Sequence, residues 1–267
     1  MHKKPLFSVI IVNYRSAEHL RRALRSLPEA WQWEVIVVNN DRSEEKVLEE
    51  WREEGLITLV SSGGNIGFGA AANIGALHAT GRFFLFLNPD TLWQWGTFSE
   101  IAEFFEKHPK VGVIGAKMVD NSGSSEKWSA GLSLSFFELV RNNIGIPSGK
   151  HIWESRRRIG SGWVSGAALF VRKETFIAAD GFDERFFLYF EDMDLCHRVR
   201  LMGQRVVLYP EVVIRHLGGK SSLSAHLQKR EFYRSQRLYF EKHRSRTEAK
   251  AVAFLQRFIG SVSKRKA

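Results

Sequence analysis

Residues 82–91 read RFFLFLNPDT. Five consecutive apolar residues, Phe83–Leu87, leave no polar face, the pattern of a strand covered on both sides within a parallel sheet. The run stops at Asn88, Pro89 and Asp90, where the proline stiffens a turn and a carboxylate is held just beyond the strand. Outward from it, strand and helix signals alternate. Upstream, Phe7–Val12 is a β-rich apolar run and Ser16–Leu27 repeats apolar residues at helical spacing. Glu34–Val38 is a second strand, followed by a polar turn over residues 39–43 and a charged helix over Glu44–Glu53. Ile57–Ser61 is a third strand. Residues 61–80, SSGGNIGFGAAANIGALHAT, form a glycine-rich turn entering a helix of small residues.

Such alternation predicts an α/β fold, a doubly wound and mostly parallel sheet joined by right-handed crossovers. Ligands of these sheets bind outside the carboxyl ends of the strands. The polar clusters at residues 13–15, 39–43 and 88–90 all lie there, which places the site. The second half is less regular. Helices are expected over Phe98–Lys107, Lys173–Ala179 and Glu191–Met202, and strands over Val111–Met118, Val164–Val171, Gln204–Tyr209 and Val212–His216. Residues 121–158, rich in Ser, Gly and Asn, read as a long loop or small insertion. Helical spacing resumes over Leu227–Lys242 and Ala249–Ile259.

With 267 residues, 44% hydrophobic and 25% charged, the chain has the composition of a globular protein with a sizeable core. A single cysteine, Cys196, forbids an internal disulfide framework and fits a reducing, cytoplasmic compartment. The basic, apolar start MHKKPLFSVIIVNY is too short and too polar for a secretory signal and reads as the first strand, and no run is long enough to span a bilayer. The net charge of +10 is concentrated: Leu201–Ala267 holds 15 Lys/Arg against 4 Asp/Glu. A basic tail of this kind is either a solvated helical face or a patch for an anionic surface. Its mixture of aromatic, aliphatic and basic residues allows docking at a membrane or packing on the domain.

Three stretches carry candidate chemistry. Asp90 could hold Mg²⁺ or Mn²⁺, which takes one or two carboxylates plus substrate phosphates; alternatively the Asn88–Thr91 turn caps a following helix. The glycine-rich turn at residues 63–69 lets backbone approach a phosphate or sugar but is neither a P-loop nor a dinucleotide fingerprint. Residues 181–195, GFDERFFLYFEDMDL, set five acids among five aromatics. Aromatic burial raises a carboxylate pKa and suits a general base. Asp192 is read in that role, Asp194 as a cap of the following helix, and Asp183 and Glu184 as a turn. His216, ending a strand, could complete a metal shell.

The ordered segments SVIIVNY, EVIVVNNDRS, GGNIGFGAAANIG, LFLNPDT, SGAALFVRKE, GFDERFFLYFEDMDLCHRVR and IRHLGGKS together resemble glycosyltransferase family 2, the inverting enzymes of GT-A fold, and its bacterial rhamnosyltransferase-like branch. The resemblance implies a GT-A domain over residues 1–222, with a nucleotide-sugar half (about 1–118) and a mixed acceptor half (about 119–222), followed by a basic helical region over 223–267. It implies that Asn13, Tyr14, Asn39 and Asn40 surround the nucleoside and that Asn65, Gly67, Phe68, Asn73 and Asn88 line the nucleotide-sugar. Ser165, Gly166 and Glu191 would lie on the acceptor side, Asp192 would be the base, and Asp90 and His216 the metal ligands. Two positions depart from the family pattern: Asn39 stands for a common Asp after the second strand, and Asn88 for the first Asp of Asp-x-Asp.

The expected reaction is transfer, with inversion, from a nucleoside-diphosphate sugar (dTDP-rhamnose or a UDP-sugar) to a saccharide or lipid-linked acceptor in cell-surface polysaccharide synthesis. It would occur in the cytoplasm or at the inner face of the membrane. Competing readings are a sugar-phosphate nucleotidyltransferase, for which residues 13–15 lack the basic glycine-rich signature, and a non-catalytic binder of RNA or anionic membrane, which has little use for the acidic-aromatic stretch.

Overall fold

The computed structural model describes residues 4–28, 33–218 and 224–264, with side chains as far as Arg257. In chain order the elements are β1 (Phe7–Asn13), α1 (Ala17–Ser26), β2 (Trp33–Asn39), α2 (Glu45–Glu53), β3 (Thr58–Ser61), α3 (Phe68–His78) and β4 (Phe83–Leu87). There follow β5 (Thr91–Trp95), α4 (Phe98–Lys107), β6 (Val111–Val119), β7 (Ala130–Gly131), α5 (Phe136–Asn143), α6 (Lys150–Trp153), β8 (Ile159–Ser161) and β9 (Trp163–Val164). The chain then forms β10 (Ala168–Arg172), α7 (Lys173–Ala178), α8 (Glu191–Leu201), β11 (Arg205–His216), α9 (Ala225–His243) and α10 (Arg246–Lys264).

The main sheet runs β3-β2-β1-β4-β10-β6-β11-β5, with β8 also paired to β11. Strands β3, β2, β1 and β4 are mutually parallel. Beyond β4 the sheet is mixed, because β10 runs antiparallel to both β4 and β6. The apolar run of β4 is buried on both faces, as its sequence demands. Phe83, Leu85 and Leu87 enter the core shared with α1, α2 and α4, while Phe84 and Phe86 enter the core shared with α3, α7 and α8. Burying each such side chain contributes about 2 kcal/mol. The small residues of α3 have a packing reason. A Cβ on Gly75 would stand 2.6 Å from Ile10 and 2.9 Å from Val38, so the helix lies directly on the sheet.

Several boundaries differ from the sequence reading. The strand expected over Val164–Val171 is two, β9 in a small sheet with β7 and β10 in the main one. Residues 165–167 turn between them because their backbone groups bond elsewhere: Ser165 donates to Ser129 O at 2.8 Å, and Ala167 O accepts from Asn88 N at 2.9 Å. Conversely, the two closing strands are one, β11. Pro210 has no N–H to donate, and the pairing with β6 shifts register between Tyr209 and Val213 while the backbone stays extended. Residues 91–95 are a strand, so the Asn88–Thr91 turn caps no helix. The region 121–158 folds as a small insertion with α5, whose N-cap Ser135 accepts from Glu138 N.

The C-terminal helices pack on the domain. Tyr239 and Phe240 of α9 and Val252 of α10 join Leu139 of α5 and Phe186 and Phe190 in a third core. Among the described residues no helix is long and apolar enough to cross a membrane.

Candidate functional site

At the carboxyl ends of β1 and β2, four asparagines shape the glycine-rich turn. Asn40 N donates to Asn13 O at 2.8 Å, and the Asn40 side-chain carbonyl accepts from Ile66 N at 3.1 Å and from Ser62 Oγ at 2.9 Å. The Asn40 amide donates to Asn65 Oδ1 at 3.2 Å, which also accepts from Gly67 N. Asn39 Oδ1 accepts from Asp41 N, and the buried Asn13 amide donates to Glu44 at 2.9 Å. Arg15, with φ of 52°, bonds Asp41 and lies 5.3 Å from the centre of the Tyr14 ring. The Ser43 backbone N–H and then Arg15 hold Asp41 below the usual carboxylate range. Asp41 supplies a carboxylate two residues beyond the Asn39 departure. Neither it nor Glu44 was singled out by the sequence, although both sit in the polar turn after β2.

Gly67 closes this turn against the segment that leads into α8. Its φ is 92°, a Cβ there would lie 2.5 Å from Phe187 O, and Phe68 N donates to that same carbonyl at 2.9 Å. Only glycine permits both the conformation and the approach.

The second cluster arises from strand register. Antiparallel pairing of β5 with β11 sets His216 opposite Thr91, one residue past Asp90. His216 Nε2 thereby stands 3.2 Å from Asp90 Oδ1, while Nδ1 bonds Glu126 at 2.7 Å. Burial disfavours the imidazolium, but the bonds and charges of Asp90 and Glu126 outweigh it and lift His216 to about 10. Asp90 is likewise penalised by burial, and its bond to His216 carries its pKa below the ordinary value. Glu126, inside the stretch read as an insertion, had no local signal. It orients the ring as an outer partner orients a metal-ligating histidine.

Among the described residues, no group of three or more His, Cys, Asp or Glu side chains is disposed to hold a metal ion. A divalent cation would have Asp90 and, with its proton displaced, His216 as protein donors here, and would draw the rest from phosphate. That donor set fits a site shared with a nucleoside diphosphate.

The third cluster begins with strain. Tyr189 and Phe190 both take left-handed backbone, φ 67° and 69°, at the entrance to α8, which bulky residues adopt only when the surroundings enforce it. Phe190 is buried among Tyr239 and Phe240, and Leu188 O accepts from Ser235 of α9 at 2.8 Å. This turn delivers Glu191 and Asp192 side by side, and their surroundings separate them. Asp192 accepts from Gly166 N at 2.8 Å and from Met193 N at 2.7 Å. Burial raises its pKa, while those two backbone donors favour the anion. Glu191 is only 6% exposed and its Oε2 has no hydrogen-bond partner. Burial, then the charge of Asp192, drives it well above the ordinary carboxylate value. Of the two, Asp192 is equipped to be the anion and Glu191 to keep the proton.

A single cavity of about 650 Å³ is bordered by Phe68, Asn88, Ser165, Gly166, Glu191, Asp192 and His216. The structure thus gathers the residues expected on the acceptor side, the candidate base and one candidate metal ligand, with Asp90 bonded behind His216. Asn13, Tyr14, Asn39, Asn40, Asn65 and Gly67 lie outside the cavity lining, and so does Asn73. Its amide bonds the backbone N–H and C=O of Phe182, both at 2.9 Å, so it fastens the turn at residues 181–184 and does not line this cavity. Asp194 is not a helix cap: fully buried, it pairs with Arg198 of its own helix and with Lys242 and His243 of α9. Asp183 does form a turn, with Arg185, and also meets Lys242 at 2.7 Å. The far wall comes from residues that sequence reasoning did not assign to a site: Trp128, Trp153 and Trp163, and from the C-terminal helices Phe232, Gln236 and Leu255. Trp128 and Trp153, set in a polar insertion, were the one available hint. Gly219–Ser221, part of the late matching segment, lie outside the described residues.

A parallel half, a mixed half behind it and a cavity at the strand ends are the architecture of the GT-A fold. Structures sharing this fold include S. aureus TarS with UDP-GlcNAc (TM-score 0.61, 20% identity, 87% of this chain and 64% of that one). Another is the mannosyltransferase PcManGT from Pyrobaculum calidifontis with GDP-Man and Mn²⁺ (TM-score 0.61, 19% identity, 90% and 64%). The chain spans less than two thirds of either. Residues 8–163 match glycosyl transferase family 2, and the chain belongs to that family. Curated relatives include the N-acetylglucosaminyl-diphospho-decaprenol L-rhamnosyltransferase of Mycobacterium tuberculosis, 26% identical over 236 residues (78% of this chain, 75% of the relative). The rhamnosyltransferase WbbL of Escherichia coli is 27% identical over 212 residues (76% and 80%).

Proposed function

We propose that this glycosyltransferase moves a hexosyl unit, with rhamnose the leading candidate, from a nucleoside diphosphate to a saccharide or lipid-linked acceptor with inversion of configuration. The single observation that carries the reading is the shared cavity: Asp192, held between two backbone donors, borders the same space as Asn88 and His216. The two rhamnosyltransferase relatives support the donor, and the decaprenol-linked name of one supports a lipid-linked acceptor.

In this reading Asp192 accepts the acceptor hydroxyl proton as that oxygen attacks the anomeric carbon from the face opposite the leaving diphosphate. Gly166 and Met193 hold the carboxylate in place for that transfer. Asn13, Tyr14, Asn39 and Asn40 surround the nucleoside, and Asn65, Gly67 and Phe68 shape the sugar side. Asp90 and His216 would hold Mg²⁺ or Mn²⁺, which when bound offsets negative charge on the diphosphate. The division at about residues 118 and 222 into nucleotide half, acceptor half and C-terminal region belongs to the same proposal. So does cytoplasmic action at the inner membrane face, with the basic C-terminal region toward anionic lipid.

The test is incubation of the full chain with dTDP-rhamnose or UDP-sugars, Mn²⁺ and a lipid-linked or alkyl-glycoside acceptor, with the anomeric configuration of the product read by NMR. Product with the donor's configuration retained, or pyrophosphate release from nucleoside triphosphate and sugar phosphate instead, would overturn it.

A further inference from the structure

The cavity beside Asp192 has a wall that proton transfer does not need. Its volume of about 650 Å³ lies within the ~300–1,000 Å³ typical of sites that enclose an organic ligand. The lining includes Trp128, Trp153, Trp163, Phe232, Tyr233 and Leu255, with the rings of Trp128 and Trp153 5.1 Å apart. Flat aromatic faces suit the C–H faces of a pyranose, and the aliphatic and aromatic remainder suits hydrocarbon.

Against this wall two oxygens stand out. Glu191 Oε2 and Asn142 Oδ1 are sealed from solvent without a hydrogen-bond partner, and both residues border the cavity. Native interiors leave few such oxygens unpaired. The two come from unrelated elements, α8 and α5, and to meet a ligand each oxygen must rotate into the cavity that its residue borders. They are also complementary. The Asn142 carbonyl only accepts. Burial, then Asp192, pushes Glu191 well above the ordinary carboxylate value, and its unpartnered Oε2 is the oxygen free to carry a proton and donate. A sugar hydroxyl needs one of each.

We propose that Glu191 and Asn142 are specificity-determining residues that hold the hydroxyls of a pyranoside bearing an apolar aglycone, Glu191 as donor and Asn142 as acceptor. This rests on the cavity being the acceptor side of the transfer site. The aglycone lies along Phe232 and Leu255, which makes the C-terminal helices part of acceptor recognition.

The experiment titrates the full chain, with UDP and Mn²⁺ present, with octyl β-glucoside and octyl N-acetyl-β-glucosaminide below their micelle concentrations and with the matching methyl glycosides. Tryptophan fluorescence is the signal, and Trp128→Phe identifies its source. At least one octyl glycoside is expected to bind about tenfold or more tightly than its methyl counterpart. Asn142→Leu and Glu191→Leu are each expected to weaken it about tenfold, and Glu191→Gln, which keeps a donor, by less than about threefold. Melting curves are taken first, and Asn142→Leu decides the matter if Glu191→Leu does not fold. Absence of binding by the wild type, or unchanged affinity in Asn142→Leu, would overturn the proposal. Equal loss in Glu191→Gln and Glu191→Leu would overturn the donor role. Calorimetry of wild type with nucleotide-sugars keeps the two readings apart: octyl-glycoside binding with these dependences but no nucleotide-sugar binding rejects the transfer reaction and leaves the subsite standing.

Discussion

Replacing Asp192 by Asn separates chemistry from architecture. The carboxylate has two structural tasks, accepting from Gly166 N at 2.8 Å through Oδ2 and from Met193 N at 2.7 Å through Oδ1. An amide has one acceptor oxygen, so one of those N–H groups would face an NH₂. An unsatisfied buried donor costs about 1–3 kcal/mol. Part of this returns because the variant no longer buries a charge, the burial that raises the Asp192 pKa. The net shift in melting temperature is therefore expected to be a few degrees. The catalytic loss is larger. Removing a general base costs about 10²–10⁴-fold in rate, equivalent to about 2.7–5.4 kcal/mol of barrier. Steady-state transfer would be measured at saturating donor and acceptor, and nucleotide affinity by calorimetry. The expected result is a fall in kcat of at least about a hundredfold with nearly unchanged nucleotide affinity. The pH profile is a second check. A base works only when ionised, so wild-type kcat rises as pH climbs through the raised Asp192 pKa, and this limb disappears in the variant. Turnover within tenfold of wild type with the acid limb intact would refute the role of Asp192.

Asp90→Ala removes the one carboxylate 3.2 Å from His216; UDP affinity in Mn²⁺ is expected to fall on the order of 10–100-fold, the loss seen even for outer partners of metal ligands, and affinity without Mn²⁺ to stay put, both by calorimetry. Gly67→Ala combines positive φ with a Cβ 2.5 Å from Phe187 O and is expected to destabilise by about 2–4 kcal/mol in denaturant unfolding, a cost set by the left-handed backbone and the overlap together. His197 is depressed to about 4, first by burial and then by His243 and Arg244. The unfolded chain, titrating near 6.5, binds the extra proton between pH 6.5 and 4, so stability present above that window is lost as pH falls through it. The shift bounds the effect at about 3.4 kcal/mol, and partial exposure reduces it to about 1–2 kcal/mol. Wild type should lose more melting temperature than His197→Gln across that range, and equal slopes would reject the assignment.

Local sequence determined the elements of the first half, because each strand and helix there carries its own periodicity and its own stop. The uninterrupted apolar run of β4 required burial on both faces, and the polar residues ending β1, β2 and β4 marked the edge where the candidate site lies. The ordered motifs determined the family. Tertiary structure decided the rest, for reasons no local window contains. The distance from His216 to Asp90 comes from the register of β11 against β5, two strands more than a hundred residues apart. The choice between Asp192 and Glu191 as the anion comes from a backbone N–H at Gly166, on a turn that the sequence presented as unbroken strand. Asp194 read as a cap by position, and packing made it a fastener between α8 and α9; the Asn73 amide meanwhile bonds the turn at Phe182. The C-terminal helices, a basic tail by composition, became a wall of the cavity because their few apolar residues found their cover on α5 and α8, contacts that only the folded chain brings together.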